Sequence, residues 1–170
     1  IVILDSRRFE EYHTMSIPGG RSVPLWNVGT QAQGRYTRRT DAPANPYLYF
    51  DIADGYALLH QNNPFNIAVT YFDQGRDSFS LEYPTASNVF QSAGVVQKTN
   101  TNTWKTATFA ATNARFSNQQ PGNNDFRLNS LNDGNDTFHL IQVKPASNAT
   151  PPTAIALTLQ QGRALPDGQI

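Results

Sequence analysis

Hydrophobic and polar residues alternate on both sides of one short polar connection, and this pattern limits the possible folds more than any other. Six apolar residues occupy alternate positions around it: Ile67, Val69, Tyr71, Phe79, Leu81 and Tyr83. A period of two is the pattern of a β-strand with one buried face. The connection itself, residues 73–76 with the sequence DQGR, has the polar and glycine content of a tight turn. The sequence therefore predicts two antiparallel strands joined as a β-hairpin.

The same alternation recurs along most of the chain, between loops rich in Asn and Gly. It predicts nine strands, at 22–28, 34–40, 47–52, 66–73, 77–83, 95–99, 103–111, 125–130 and 137–144. Helical spacing is found at 8–15, which a Pro-Gly-Gly sequence then ends. Many short strands joined by turn residues are typical of two packed sheets. We therefore predict an all-β fold, an antiparallel β-sandwich of the jelly-roll type.

The pattern divides the chain into four parts. Residues 1–24 show no clear packing pattern, whereas residues 25–144 form the predicted sandwich. Residues 145–153, PASNATPPT, have the composition of a linker. Residues 154–160, AIALTLQ, alternate again, so residues 154–170 are either the start of a following β module or a terminal strand of this sandwich. Because the chain begins with Ile rather than Met, we expect it to be a fragment of a longer protein.

Charge and cysteine content exclude several classes of function. The 13 basic and 13 acidic side chains cancel, so no net field would attract nucleic acid or an anionic membrane surface. The chain has no Cys, which excludes disulfides, thiolate catalysis and Cys-ligated zinc. No apolar run approaches the roughly 18 residues of a membrane-spanning helix. We therefore expect neither a nucleic-acid partner nor a membrane partner.

The aromatic and amide side chains favour a sugar as the ligand, although polar loops alone would also account for the amides. The chain has ten Phe, seven Tyr and two Trp. Aromatic rings can cover the apolar C–H face of a sugar while amides bind its hydroxyls. Four aromatic residues that lie among polar or small neighbours are candidate platforms: Trp26, Tyr36, Tyr47 and Tyr49. We expect Trp104 to be a packing anchor between the sheets instead.

The segment 114–128, ARFSNQQPGNNDFRL, concentrates groups that can bind hydroxyls or a sugar carboxylate. Its guanidinium, amide and carboxylate side chains are candidate ligand-binding groups: Arg115, Asn118, Gln119, Asn123, Asp125 and Arg127. Arg38, in an Arg-rich predicted strand, is a further candidate. The Asn-Asn-Asp run after Pro-Gly is equally ordinary turn chemistry, so the spacing alone does not decide between binding and structure.

Five segments together resemble the β-sandwich modules appended to secreted bacterial glycan-degrading enzymes. They are RYTRRTD…NPYLYFDI, NIAVTYFDQGRDSFSLEY, NTWKTATF, ARFSNQQPGNNDFRL and DTFHLIQV, within residues 34–144. Such modules are carbohydrate-binding, non-catalytic, and similar to galactose-binding jelly rolls. The resemblance implies a partner that is a polysaccharide or oligosaccharide. It also implies an extracellular or cell-surface location in a bacterium, and covalent linkage to a larger catalytic or surface domain.

The same resemblance implies a structural calcium ion. Related jelly rolls place a carboxylate on the ion just before the closing strand, which is the position of Asp136. Hard oxygen ligands from other loops would complete such a site. The candidate partners are Glu10 and Glu11, with Asp5 and Asp41 as further options.

The N-terminal segment IVILDSRRFEEYHTMSIPGGRSVP resembles the opening of rhodanese-like sulfurtransferase domains. Catalysis in that family depends on a Cys, and the nearest counterpart of that position here is Phe72 in YFDQGRDS. Without any Cys, persulfide chemistry is excluded for this chain. The helices that such a fold places between its strands are also missing from the pattern.

Two other functions stay open at this point. Carboxylates such as Asp51 with Asp73 or Glu82 could serve a small glycan-active hydrolase, although no pattern places them across a cleft. The other alternative is a structural or self-assembling extracellular module that binds no ligand.

Overall fold

The computed structural model describes residues 2–3, 23–25, 35, 37–61 and 63–146, the first two ranges as backbone alone. Ten strands lie within these ranges: β1 (Val2–Ile3), β2 (Val23–Leu25), β3 (Thr37–Arg39), β4 (Tyr47–Phe50), β5 (Phe65–Phe72), β6 (Ser78–Tyr83), β7 (Gln91–Gln97), β8 (Trp104–Ala111), β9 (Phe126–Asn129) and β10 (Thr137–Pro145). They also contain one short helix, α1 (Asp54–Leu59). No helix in this described part is long and apolar enough to cross a bilayer.

The strands form two antiparallel sheets. The first sheet has the order β2-β3-β10-β5-β8, with β1 also paired to β10, and the second has the order β4-β9-β6-β7. The eight strands from β3 to β10 pair as one long folded hairpin: β3 with β10, β4 with β9, β5 with β8, and β6 with β7. This is the strand pairing of a jelly roll. The predicted all-β, antiparallel sandwich of the jelly-roll type is therefore confirmed.

The hairpin predicted around residues 73–76 is wrong, because β5 and β6 belong to different sheets. β5 pairs with β8 and β10, whereas β6 pairs with β7 and β9. The buried faces of the two strands instead meet inside the sandwich, where the ring centroids of Tyr71 and Phe79 lie 5.0 Å apart. An alternating pattern identifies the buried face of each strand but not the strand beside it. Gly75, with a φ of +90°, allows the chain to turn from one sheet to the other.

Helix α1 lies in the connection between β4 and β5, where the sequence pattern predicts no helix. Its six residues are too few to show a helical period, so only the tertiary structure reveals it. Ala57 faces the core, while Leu58 and Leu59 are exposed. The predicted helix at 8–15 lies outside the described residues.

Aromatic and aliphatic side chains fill the space between the sheets. The largest fully buried rings belong to Phe50, Phe65, Phe79, Phe126 and Phe138. The ring centroid of Phe79 lies 5.1 Å from that of Phe138, which is on the opposite sheet. Each buried Phe contributes roughly 1.5–3 kcal/mol by leaving water, so this core dominates the stability of the sandwich.

Trp104 does not lie between the sheets, so its predicted role as an inter-sheet anchor is wrong. Along β8, alternate residues such as Ala107 and Phe109 face the core, and this places Trp104 on the outer face. There its ring packs beside Phe72 and His139, at centroid distances of 5.1 and 5.8 Å. A Trp in an alternating strand occupies either face, and its identity alone does not say which.

The connections between strands fall at two ends of the sandwich. The first, which we call the α1 end, holds residues 51–64, 84–90 and 112–125. The second, which we call the lysine end after the buried Lys98, holds residues 40–46, 73–77, 98–103 and 130–136.

Part of the N-terminal segment pairs with the first sheet, since β1 pairs with β10 and β2 pairs with β3. The predicted linker from residue 147 onward and the segment 154–170 lie outside the described residues, and the predicted domain boundaries stay predictions.

Candidate functional site

The structure separates the predicted ligand-binding residues into two groups. Arg115 and Asn118 lie at the α1 end, and Tyr47, Tyr49 and Arg127 lie on the outer face of the second sheet. The remaining described candidates are placed as follows: Arg38 is buried in β3, Asp125 is buried below the loop after β8, and Gln119 and Asn123 are exposed on that loop. Trp26 and Tyr36 lie outside the described residues.

A pocket of about 660 Å³ lies at the α1 end, between α1 and the loop that follows β8. We call it the end pocket. Six of its lining side chains determine its chemistry: Asp54, Leu58, Gln61, Arg115, Phe116 and Asn118. One wall thus comes from α1 and its C-terminal end, and the other from the loop of residues 115–118.

The end pocket combines polar groups with an apolar surface. Asn118 Nδ2 donates to Asp54 Oδ1 at 2.9 Å, which joins the two walls. Arg115 is exposed, and within the described part of the chain no carboxylate pairs with its guanidinium. Its backbone N–H donates to the carbonyl of Pro84 at 2.8 Å, which fixes the start of the loop. Leu58 is 66% exposed and supplies apolar surface beside these groups.

Phe116 connects the pocket to the core. It lines the pocket, and its ring centroid lies 5.0 Å from that of Phe65 and 6.3 Å from that of Phe126. Both of those rings are fully buried. Because Phe116 packs on them, one face of the pocket is anchored to the core.

Asp125 lies beneath the end pocket and is hydrogen-bonded to the backbone of both of its walls. Its Oδ2 accepts a hydrogen bond from the Ile52 N–H at 2.8 Å, and its Oδ1 accepts one from the Asn118 N–H at 2.9 Å. Burial raises the pKa of Asp125 to about 6, and the nearby Asp51 adds to the rise, while the two N–H donors oppose it. The buried carboxylate therefore positions the pocket from within the protein.

The second group of predicted residues forms what we call the sheet-face cluster: Tyr47, Tyr49, Glu82, Phe90 and Arg127. The Arg127 guanidinium carbon lies 4.0 Å from the ring centroid of Tyr47 and 3.8 Å from that of Phe90. Arg127 Nε donates to Glu82 Oε2 at 2.5 Å, and Nη1 donates to the Tyr49 hydroxyl at 2.9 Å. The guanidinium thus covers ring faces that a sugar would otherwise stack on.

The sequence pattern does not identify several of these residues as members of a site. Phe90 precedes β7, and only strand pairing brings it to Arg127. Asp54 and Leu58 belong to the helix that the pattern does not reveal. Arg115 and the turn-forming Asn118 are visible in the sequence as one polar segment. The opposite wall of the pocket comes from a distant part of the chain, since Asp54 lies 64 positions before Asn118.

Asp136, the expected calcium ligand, is buried at the lysine end and faces a cation that the protein itself supplies. Lys98 Nζ lies 2.8 Å from Asp136 Oδ1, 2.7 Å from Asp77 Oδ2 and 3.0 Å from the carbonyl oxygen of Asn135. We call this arrangement the lysine cage. Burial opposes the charge of Lys98, but the carboxylates of Asp136 and Asp77 raise its pKa, so it stays protonated.

The lysine cage fits an ammonium rather than a calcium ion, because a divalent cation on Asp136 would face Lys98 at close range. Among the described residues, no group of three or more His, Asp or Glu side chains is placed to hold a metal. Asp41 is exposed, and Glu10, Glu11 and Asp5 lie outside the described residues. Calcium binding therefore stays a prediction.

No protein-family model matches the chain, and no curated protein matches its sequence. Among solved structures, the chain is similar to a carbohydrate-binding module of lichenase 5A from Cellvibrio mixtus, solved in complex with cellotriose. The two are 13% identical, the match covers 78% of this chain and 91% of that one, and the TM-score is 0.40. Both of these similar structures are carbohydrate-binding modules. The second is the C-terminal CBM6 module of LamC, a marine laminarinase from Zobellia galactanivorans, at 16% identity, 78% and 88% coverage, and a TM-score of 0.35.

Proposed function

We propose that this domain binds carbohydrate without cleaving it, and that the end pocket is the binding site. The observation that carries the proposal is the chemistry of the pocket walls. An exposed guanidinium, two amides and a carboxylate lie beside the apolar surfaces of Leu58 and Phe116. A sugar presents hydroxyls around its rim and C–H groups on its faces, so it needs this mixture of polar and apolar contacts.

Each group in the pocket has a role in this proposal. Arg115 and Asn118 donate hydrogen bonds to sugar hydroxyls, and Asp54 accepts them. Phe116 and Leu58 contact the C–H face of the sugar. The pocket is open rather than enclosed, so little area leaves water per sugar unit, and we expect weak binding to a single unit.

The sheet-face cluster is a weaker candidate for the same function. Its arginine already has a carboxylate and a hydroxyl as partners, and the rings on either side are stacked on it. A ligand there would have to displace satisfied contacts, whereas among the described residues Arg115 has no carboxylate partner to lose.

The proposal extends to the setting of the domain. The sequence motifs resemble modules of secreted bacterial enzymes, and on that basis we place the domain outside the cell, where it would tether a larger catalytic or surface protein to a polysaccharide. The expected structural calcium, with Asp136, Glu10 and Glu11 as candidate ligands, stays an untested prediction outside this proposal, since Lys98 already faces the carboxylate of Asp136.

Affinity electrophoresis tests the proposal with arginine variants. The protein is run through gels that contain soluble β-glucan, xylan, galactomannan or pectin. We expect at least one polysaccharide to retard the protein, and Arg115→Ala to weaken that binding about tenfold, the effect of losing a charged hydrogen-bond donor. Arg76→Ala removes an exposed arginine at the lysine end and should bind as the wild type does.

A second pair of variants tests the amide. Asn118 has a φ of +59°, which glycine also adopts, so Asn118→Gly removes the amide without straining the backbone. Asn132→Gly is the matched control, since Asn132 has a φ of +60° in the β9–β10 turn. Equal mobility of all proteins in every gel would contradict the proposal. Release of reducing ends from any polysaccharide would support the hydrolase alternative instead.

A further inference from the structure

We propose that Lys98 takes the place of a structural metal ion: its buried ammonium joins the connections at the lysine end, so this part of the fold needs no calcium. A calcium site arises there only when the lysine side chain is removed. The inference concerns the position of Asp136, where the resemblance to modules of secreted bacterial enzymes implies a calcium ion. It is independent of the proposed carbohydrate binding.

The oxygens of the lysine cage match the donors of one ammonium. Lys98 Nζ lies 2.7 Å from Asp77 Oδ2, 2.8 Å from Asp136 Oδ1 and 3.0 Å from the carbonyl oxygen of Asn135. These are the distances of N–H···O hydrogen bonds, and a protonated lysine has three N–H donors to make them. The side chains of Lys98 and Asp136 are each only 1% exposed. The cage oxygens, rather than bulk water, therefore solvate the ammonium.

A calcium ion does not fit the same position. Calcium takes about six to eight oxygen ligands at about 2.3–2.6 Å, whereas the cage places three oxygens around a centre that Lys98 Nζ already fills. An ion bound to Asp136 Oδ1 would lie at most about 5 Å from that ammonium, and the two positive charges would repel each other. Lys98 would have to leave the cage first, and its buried charge would then lose its partners.

Connections far apart in the sequence meet at this ammonium. Lys98 begins the β7–β8 connection, and Asp77 ends the β5–β6 connection. Asn135 and Asp136 end the β9–β10 connection. The backbone N–H of Lys98 also donates to the Asp77 carbonyl at 3.0 Å, so main chain and side chain hold the same two connections together. One cation thus joins three connections, as a metal ion does when it binds ligands from several loops.

The β3–β4 connection joins the cage through its acidic side. The Ala42 N–H donates to Asn135 Oδ1 at 2.7 Å, and the Asp136 N–H donates to Thr40 Oγ1 at 2.9 Å. The Thr40 N–H in turn donates to the Asp136 carbonyl at 3.1 Å. The residues that face the ammonium therefore also hold the fourth connection. All four connections of the lysine end are linked to Lys98, either directly or through one intervening residue.

Removal of the lysine side chain should turn the cage into a metal site. Lys98→Ala leaves the carboxylates of Asp77 and Asp136 and the Asn135 carbonyl around the space that the lysine chain had filled. Carboxylate and carbonyl oxygens are the ligands that calcium prefers, and waters in the vacated space can complete its coordination. The substitution also removes the charge that repels the ion. Calcium should therefore bind at the cage in this variant and not in the wild type.

Urea unfolding of the wild type, Lys98→Ala and Lys144→Ala tests the exchange of cations. Each protein is unfolded in about 5 mM calcium chloride and in about 5 mM EDTA, at matched ionic strength. For a site with a Kd of about 0.1–1 mM, calcium should raise the ratio of folded to unfolded Lys98→Ala about tenfold. Lys144→Ala changes an exposed lysine of β10 and should respond no more than the wild type does. If Lys98→Ala is unfolded in EDTA, calcium should fold it.

A calcium titration of the ¹⁵N-labelled proteins, followed by nuclear magnetic resonance, locates the ion. We expect the backbone amides of Asp77, Asn135 and Asp136 to shift in a saturable way in Lys98→Ala and to stay unchanged in the wild type. Saturable shifts of these amides in the wild type would overturn the inference, because calcium would then displace Lys98. A Lys98→Ala variant that calcium neither stabilises nor folds would also overturn it, since the cage oxygens would then hold an ammonium alone.

Discussion

Two buried charged groups at the lysine end show how single residues are stabilised in this small sandwich. Lys98 is surrounded by two carboxylates and a carbonyl oxygen. Asp73 accepts hydrogen bonds from the N–H and hydroxyl groups of Thr99 and Thr101, and Lys105 Nζ lies 2.6 Å from its Oδ2. A buried charge is tolerated only when its partners replace the water it has lost. Both residues therefore contribute to stability, and substitution of either should lower the free energy of unfolding measurably.

Lys98→Met should lower the free energy of unfolding by about 3–5 kcal/mol at pH 7. The substitution leaves Asp77 and Asp136 as neighbouring buried carboxylates without a cation. Urea unfolding measures the loss, and Lys144→Met, at an exposed lysine of β10, should change stability by no more than about 0.5 kcal/mol. A similar small effect of both substitutions would mean that the lysine cage does not exist.

Asp73→Asn should lower stability by about 2–3 kcal/mol at pH 7, because its hydrogen bonds to charged and hydroxyl donors are weakened. Desolvation opposes ionisation, yet the bonds from Lys105, Thr101 and Thr99 hold the pKa of Asp73 well below its usual range. Its contribution is therefore present above about pH 4, the value of an unfolded Asp, and is lost as the pH falls below it. Urea unfolding at pH 7, 5 and 3 should show the same difference between variant and wild type at pH 7 and 5, and a smaller difference at pH 3. A constant difference at all three values would refute the assignment.

At the scale of the element, alternation in the sequence identifies strands well and their partners poorly. Each of the nine predicted strands overlaps an observed strand, because a period of two is visible locally, whereas β1 is not predicted. The crossing of the chain from one sheet to the other between β5 and β6 is not visible locally, since Tyr71 and Phe79 would occupy the same alternating positions in a hairpin. Half of the end pocket likewise cannot be predicted from the sequence. Arg115 and Asn118 lie in one polar segment, whereas α1 has too few residues to show a period.

Two glycine substitutions test the β4–β5 and β5–β6 connections, and we expect them to change stability in opposite directions. Gly55 lies in the first turn of α1, and a Cβ there would meet no atom within 4 Å, so Gly55→Ala should raise stability by about 0.5–1 kcal/mol. Gly75 has a φ of +90°, and a Cβ there would overlap the Asp77 carboxylate, so Gly75→Ala should lower it by at least about 1 kcal/mol. Urea unfolding compares the two variants. Destabilisation by Gly55→Ala would show that α1 is not helical at this position.

At the scale of the whole molecule, the jelly roll places its buried ion pairs and the proposed binding pocket at opposite ends. The lysine end holds the buried ion pairs of Asp73 and Lys98, while the α1 end holds an open pocket with an exposed arginine. The aromatic core between the sheets connects them. This division explains why the control substitutions at the lysine end, at Arg76 and Asn132, should leave binding unchanged.

The most direct test of the binding site is a nuclear magnetic resonance titration of the ¹⁵N-labelled domain. Soluble oligosaccharides prepared from β-glucan, xylan, galactomannan and pectin are added at pH 5, and the backbone amide shifts are mapped on the structure. We predict that at least one of them shifts the amides of residues 54–61 and 115–118 in a saturable way. Shifts confined to the sheet-face cluster or to the lysine end, or no shift with any oligosaccharide, would contradict carbohydrate binding at the end pocket.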